Sequence, residues 1–207
     1  MALAENATQR MKVVVCAEGA STLLFLPLAH VFARFIQVVC VNAGVRMGFA
    51  SDVKNLIADF ASFSPTFILS VPRVFEKIYN SAEQRAVADG RGRIFRSASA
   101  TAIAWSQAQQ NGGPGALLTA RHVVFDRLVY GKLRAAMRGK VEYAVSGGAP
   151  LGPRLGHFFR GVGLTVLEGY GLTETTAPAT LNTPDQIRIG TVGHPATRRG
   201  HPDRRRR

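Results

Sequence analysis

A chain of 207 residues, 46% hydrophobic and 19% charged, can bury roughly 70% of its unfolded surface around its own core, which excludes a peptide scaffold that depends on metal or disulfides. Cys16 and Cys40 are the only two cysteines and fall in no Cys-x-x-Cys or Cys/His pattern, so they read as buried spectator thiols in a reducing compartment. The net charge is +13, but six arginines against Asp203 crowd the last ten residues; the rest is a basic body that favours phosphate-bearing or anionic partners without specifying a chemistry.

The start, MALAENATQR, is polar and unlike a secretory leader. The most membrane-like stretch, 22–45, contains Pro27, His30, Arg34 and Asn42, which argue against a span. A cytoplasmic location is expected, with peripheral membrane association as an addition to it.

In chain order, the apolar run Ser21 to Leu28 predicts a buried strand, Val31 to Asn42 a helix ended by Gly44, and Val45 to Ala50 a short strand. Ser51 or Asp52 would cap a helix whose apolar positions are Val53, Leu56, Ile57 and Phe60, stopped at Ser64 and Pro65. Thr66 to Val71 is the next strand, and Pro72 opens a helix with Val74, Phe75, Ile78 and Tyr79 on one side. From Ala82 to Gln110 the chain is helix-permissive but polar, broken at Gly90 and Gly92, and reads as a solvent-facing excursion. Ala116 to Met137 is helical, Val141 to Val145 a strand ending in the turn Ser146 to Pro150, Leu151 to Arg160 a helix, and Leu164 to Leu167 a last strand. Strands apolar on both faces and separated by helices predict an α/β fold, a parallel sheet flanked by helices on both sides.

Open α/β sheets bind ligands at the carboxyl ends of their strands. Three segments stand there: LPLAH after the first strand, SGGAP after the strand at Val141, and GYGLTETT after the strand at Leu164. The last, from Gly169 to Thr176, combines glycines that admit close backbone approach, a tyrosine able to stack on a planar ring, hydroxyls, and one carboxylate. That set suits a nucleotide and its metal: Tyr170 as stacking face, Thr173 as a hydroxyl for phosphate oxygens, Glu174 as a hard oxygen ligand for Mg²⁺. A bland loop, with Tyr170 a packed ring and Glu174 a solvated acid, is the competing reading, and His30 could equally be a satisfied core histidine. Neither Gly131-Lys132 nor Gly139-Lys140 completes a Walker A pattern. His122, His157, His194 and His201 show no ligand spacing.

In this order the segments LPLAHVFAR, SDVKNLIADFASFSPTFILSVPRVFEKIYN, AVSGGAPL, LEGYGLTETT and IGTVGHP resemble the adenylate-forming, AMP-binding enzymes, and among them the long-chain fatty-acid CoA ligases (acyl-CoA synthetases). The resemblance runs from about Glu18 to Pro195 and implies part of the large N-terminal domain of such an enzyme. It further implies attack of a fatty carboxylate on the α-phosphate of ATP, then transfer of the acyl group from AMP to CoA, with Mg²⁺ as the metal. Carried over residue by residue, Gly147, Gly148, Ala149 and Pro150 would lie along the adenine, Gly169, Tyr170 and Gly171 would border the nucleotide with the Tyr170 ring stacked on it, and Thr173 and Glu174 would serve phosphate and Mg²⁺ as the catalytic pair. His30 would border the carboxylate end of the acyl pocket.

Residues 1–17 lack the glycines and lysine of the family's triphosphate loop, and 196–207, ATRRGHPDRRRR, resemble nothing in it. The expected organisation is therefore a non-matching segment 1–17, a partial AMP-binding domain 18–195, and an Arg-rich disordered tail 196–207 of the kind a frameshift produces. On this reading the chain is an internal fragment, inactive alone, whose missing parts are encoded elsewhere. The alternative is a module that binds adenine nucleotide or acyl groups without chemistry. Nucleic acid is not an expected partner, since the arginine clustering comes without aromatic interleaving or a helix-turn-helix pattern.

Overall fold

A computed structural model describes residues 19–50, 55–136, 141, 143–175 and 177–195. The capping pair Ser51 and Asp52, the apolar position Val53, Cys16, Thr176 and the segments 1–17 and 196–207 lie outside the described residues. The elements are β1 (Ser21–Leu24), α1 (Val31–Asn42), β2 (Arg46–Phe49), α2 (Leu56–Phe63), β3 (Phe67–Ser70), α3 (Pro72–Ala88), α4 (Gly92–Gln110), α5 (Ala116–Phe125), a π-helical turn (Asp126–Tyr130), α6 (Gly131–Ala136), β4 (Tyr143–Ser146), α7 (Pro153–Val162), β5 (Thr165–Leu172), β6 (Ala177–Leu181) and β7 (His194–Pro195).

β1 and β2 pair in parallel, and β3, β4 and β5 form a second parallel group. Thr66 joins the two: its amide donates to the Ser21 carbonyl at 2.9 Å, and the Ser21 amide donates to its hydroxyl at 2.9 Å. The sheet is mixed, not purely parallel, because β5 continues past the expected Leu167 and turns back antiparallel into β6, which pairs with β7. The first strand is also shorter than its apolar run. It stops at Leu24 because Pro27 has no amide for a ladder, and the Pro27 carbonyl instead accepts from His30 in a turn.

Helices cover both faces, as strand alternation requires. Leu23, Ile68, Ala144 and Val166 face a core built with α2, α3, α4 and α7, while Leu24, Phe67, Leu69, Val145 and Leu167 face α1. On the first side Phe75, Tyr79, Phe95, Phe158 and Phe159 meet largely edge to face, with Tyr79 and Phe158 centroids 4.8 Å apart.

The stretch 82–110 is not a solvent-facing excursion. Beyond the break at Gly90, α4 buries Phe95, Ala98, Ser99, Thr101, Ala102 and Ser106, chiefly against α7, with Ser99 and the Ala98 carbonyl meeting Tyr79 and Tyr130. Small residues make this packing close, and a Cβ placed on Gly161 would run into the backbone of Ala102. The buried face consists of alanines and hydroxyls, which is why it carries little hydrophobic signal.

Candidate functional site

Three chain reversals converge at the carboxyl ends of the strands. The first leaves β1, passes Pro27 and enters α1 with His30 as its N-cap residue. His30 is exposed at the strand end, so it is not a core histidine. The second leaves β4 at Ser146; the Gly147 amide donates to the Ser70 carbonyl at 3.2 Å, and Gly148 takes φ +84°, a conformation that favours glycine. The third is the β5–β6 hairpin. Gly169, Tyr170, Gly171 and Leu172 belong to β5 itself and are not a loop, and a register shift between Tyr170 and Gly171 bends the strand there. Thr175 closes the turn: its hydroxyl accepts from the Leu172 amide at 3.0 Å and donates to the Leu172 carbonyl at 2.8 Å, which leaves Thr173 and Glu174 exposed at the tip.

Between these reversals lies a cleft of about 450 Å³. His30, Gly147, Gly148, Gly169, Tyr170, Gly171, Thr173 and Glu174 all line it, together with an apolar wall from Phe32, Phe35, Val71 and Leu181. Ala149 and Pro150 follow Gly148 on the exposed outer part of their loop and do not line the cleft. Gly147 leaves only a narrow gap, since a Cβ there would stand 3.3 Å from the Phe32 ring. Tyr170, half exposed, is among the residues that line the cleft. Two hollows of 450 and 340 Å³ elsewhere are lined along α3 and at the start of α7 and gather no comparable set of glycines, hydroxyls and ring.

Among the described residues no three His, Cys, Asp or Glu side chains come together as a metal cage. Mg²⁺ does not need one, because it keeps several waters and is often held by one or two carboxylates together with substrate phosphates. Glu174, exposed at the hairpin tip and bordering the cleft, has the chemistry for that kind of ligation.

The remaining candidates fall outside the cleft. His157 is buried beside Ser106, and His122 stacks on Trp105 with its Nε2 2.6 Å from the Gly161 carbonyl, so both serve helix packing. Burial pushes the Cys40 thiol up to about 11, as expected of an inert core residue. Two residues that sequence reading passed over sit directly behind the site: Glu168, buried in β5, and Asn182, buried just after β6. An acid inside the apolar run before Gly169 was the available signal for the first.

A family model described as AMP-binding enzyme matches residues 2–199. This chain belongs to the AMP-binding enzyme family. Over 178 residues it is 57% identical to long-chain-fatty-acid–CoA ligase FadD15 of Mycobacterium tuberculosis, covering 86% of this chain and 30% of that protein. It is 37% identical over 179 residues to long chain acyl-CoA synthetase 4 of Arabidopsis thaliana, covering 84% of this chain and 26% of the relative. The chain thus spans about 30% of the length of FadD15 and about a quarter of the plant enzyme. Among solved structures, a single-residue variant of E. coli MenE with bound OSB-AMS is similar at TM-score 0.55 and 19% identity, covering 94% of this chain and 30% of that one. The long-chain-fatty-acid-CoA ligase FadD1 of Archaeoglobus fulgidus is similar at TM-score 0.56 and 16% identity, covering 94% and 32%. These structural likenesses, under 25% identical, bear on the fold, which is that of the adenylate-forming enzymes.

Proposed function

We propose that this chain forms the nucleotide-facing part of a long-chain fatty-acid CoA ligase, which joins a fatty acid to CoA through an acyl-adenylate at the expense of ATP. The observation that supports this best is the cleft that gathers His30, Gly147, Gly148, Tyr170, Thr173 and Glu174 from three separate chain reversals, in a chain 57% identical to FadD15 where they overlap.

In this reading the side-chain-free surface at Gly147 and Gly148 lets the flat adenine approach the backbone, and the Tyr170 ring covers it. Thr173 donates its hydroxyl to a phosphate oxygen. Glu174 would hold Mg²⁺, which supplies charge neutralisation at the phosphates. His30, at the head of α1, borders the carboxylate of the fatty acid. In-line attack at phosphorus depends on positioning and electrostatics, so no protein nucleophile is required. Since this chain covers only 30% of FadD15 and 26% of the plant relative, the complete two-step reaction is assigned to this region together with the further length they carry, and the isolated 207-residue chain is assigned binding without turnover.

Isothermal titration of the folded chain with AMP and with a non-hydrolysable long-chain acyl-adenylate analogue tests the site. Saturable heat with both is expected, and its absence overturns the reading. A chimera in which this chain's matching residues replace those of FadD15 tests the reaction; it should form long-chain acyl-CoA, whereas the chain alone should not.

A second surface favours peripheral membrane contact. No residue of α5 is buried; Leu117 is 78% exposed, and Val123, Val124 and Leu128 also face outward. Arg91, Arg93, Arg96, Arg121, Arg127 and Lys132 lie in the same stretch 91–136, where Arg134 pairs with the single acid, Asp126. Exposed apolar side chains in a segment this rich in cations suit an anionic lipid surface. No helix among the described residues is long and apolar enough to cross a membrane. Co-sedimentation with phosphatidylglycerol vesicles but not phosphatidylcholine vesicles is expected, and equal behaviour with both would remove this contact.

A further inference from the structure

We propose that Glu168 and Asn182 act as a positioning pair that holds the 147–152 loop, whose Gly147 and Gly148 line the cleft, and the 183–193 loop, which packs against the start of α7 behind it, and thereby sets nucleotide affinity without touching the nucleotide. The inference rests on the reading of Gly147 and Gly148 as the adenine-side wall.

The loop from Gly147 to Gly152 has little to fix it from within. Gly148 and Gly152 both take φ +84°, and three glycines in six residues leave many backbone alternatives open. Its anchor comes from outside: the Leu151 amide donates to Glu168 Oε1 at 2.7 Å in a buried bond. A carboxylate on a backbone amide makes a stronger bond than a neutral acceptor, and Glu168 sits where its predecessors in β5, Val166 and Leu167, are apolar core. Burying an acid at that position costs stability unless it is hydrogen-bonded, so its presence is explained by the loop it holds and not by packing.

The same residue reaches the second loop through its backbone. The Asn182 amide donates to the Glu168 carbonyl at 3.0 Å. The Asn182 side chain, 2% exposed, then spans the following loop: Nδ2 donates to the Thr191 carbonyl, and Oδ1 accepts from the Arg188 amide at 3.2 Å. Leu151, Glu168, Asn182, Arg188 and Thr191 are thus one continuous chain of polar contacts behind Gly169 and Tyr170. Ile189 and Gly190, held by it, pack against Gly156 and Pro153 at the start of α7, which closes the frame.

The test compares Glu168→Gln, which keeps an Oε1 acceptor, with Glu168→Leu, which keeps volume and removes it. Hydrogen exchange is read by peptide in the unliganded chain, and AMP affinity by titration. For Glu168→Leu, amides at 147–152 should exchange at least tenfold faster while those at 165–167 stay unchanged, and AMP affinity should fall about tenfold. Glu168→Gln should restore both to within about threefold. Asn182→Ala, the second variant should Glu168→Leu fail to fold, should loosen 183–193 and weaken AMP in the same way. Unchanged exchange at 147–152, faster exchange with unchanged AMP affinity, a uniform rise across the sheet, or a Gln variant as impaired as Leu would each overturn the proposal. If the unsubstituted chain binds no AMP, the nucleotide reading falls, and the exchange pattern separately decides whether Glu168 holds the loop.

Discussion

His157 Nδ1 on α7 and Ser106 Oγ on α4 stand 3.0 Å apart in the buried seam between the two helices. A neutral imidazole can accept from the hydroxyl, whereas an imidazolium can only donate. Burial, with a smaller contribution from the Arg160 charge, holds the His157 pKa below its ordinary 6.5. The unfolded chain therefore takes up a proton first as pH falls. Stability from this group is complete above about pH 6.5 and is lost as pH drops from there through the lowered folded value. Thermal melting between about pH 8 and 5 should show Tm falling below about 6.5, and His157→Gln should flatten that slope. An equally steep slope in the variant would show that other groups drive it.

Gly161 tests the same seam by shape instead of charge. A methyl there would overlap the Ala102 backbone, and a backbone, unlike the end of a flexible side chain, has no cheap way to move aside. The Gly161 carbonyl also accepts from His122, so displacement of α7 would disturb both contacts. Gly161→Ala should destabilise the fold by roughly 1–3 kcal/mol, the range for overpacking a core, measured by urea denaturation. A midpoint equal to that of the original chain would mean that α4 and α7 are farther apart than described.

These two contacts mark the boundary of what the sequence made legible. The helices from Val31 and Pro72 and the strand around Ile68 follow from period and stop signals, since Pro72 sets its own φ and Gly44, at φ +68°, ends α1. The face of α4 did not, because Ala98, Ser99, Ala102 and Ser106 bury through close approach to a glycine and not through apolar bulk. β6 was missed because APATL is short and holds a proline, and it forms only as the return of a hairpin. In the site, His30, Tyr170 and Glu174 could be named from motif position, but their meeting in one cleft depends on strand order. Glu168 could be flagged only as an acid inside an apolar run, and Asn182 not at all, since their partners are backbone amides and carbonyls to which any residue type could contribute.

Tyr170 is expected to act through its ring. If the ring stacks on adenine, Tyr170→Ala should weaken AMP binding by about 1–3 kcal/mol, the range for a base on an aromatic side chain. Tyr170→Phe should retain most of the affinity, because stacking needs the ring face and not the hydroxyl, and Tyr170 is half exposed where it lines the cleft. Titration with AMP and with inorganic pyrophosphate separates this from a general disturbance: only the ligand with a base should be affected. Equal AMP affinity for the Ala variant would remove Tyr170 from the site.

Glu174 differs in kind, since its contribution is a charge and not a surface. Exposed at the hairpin tip, it can be changed to Gln without leaving a cavity, and the turn is closed by Thr175 and not by Glu174. Glu174→Gln should therefore keep Tm within about 1 °C, as expected of a surface substitution outside any structural contact. In the FadD15 chimera it should lower the rate of acyl-adenylate formation at least about a hundredfold at fixed Mg²⁺, while fatty-acid affinity stays within about twofold, because the lost carboxylate belongs to the metal and its phosphates. Raising Mg²⁺ should recover part of the rate, since weaker ligation is offset by mass action. Fatty-acid affinity falling in step with rate, or a rate insensitive to Mg²⁺, would assign Glu174 to the acyl pocket or to the hairpin fold instead of to the metal.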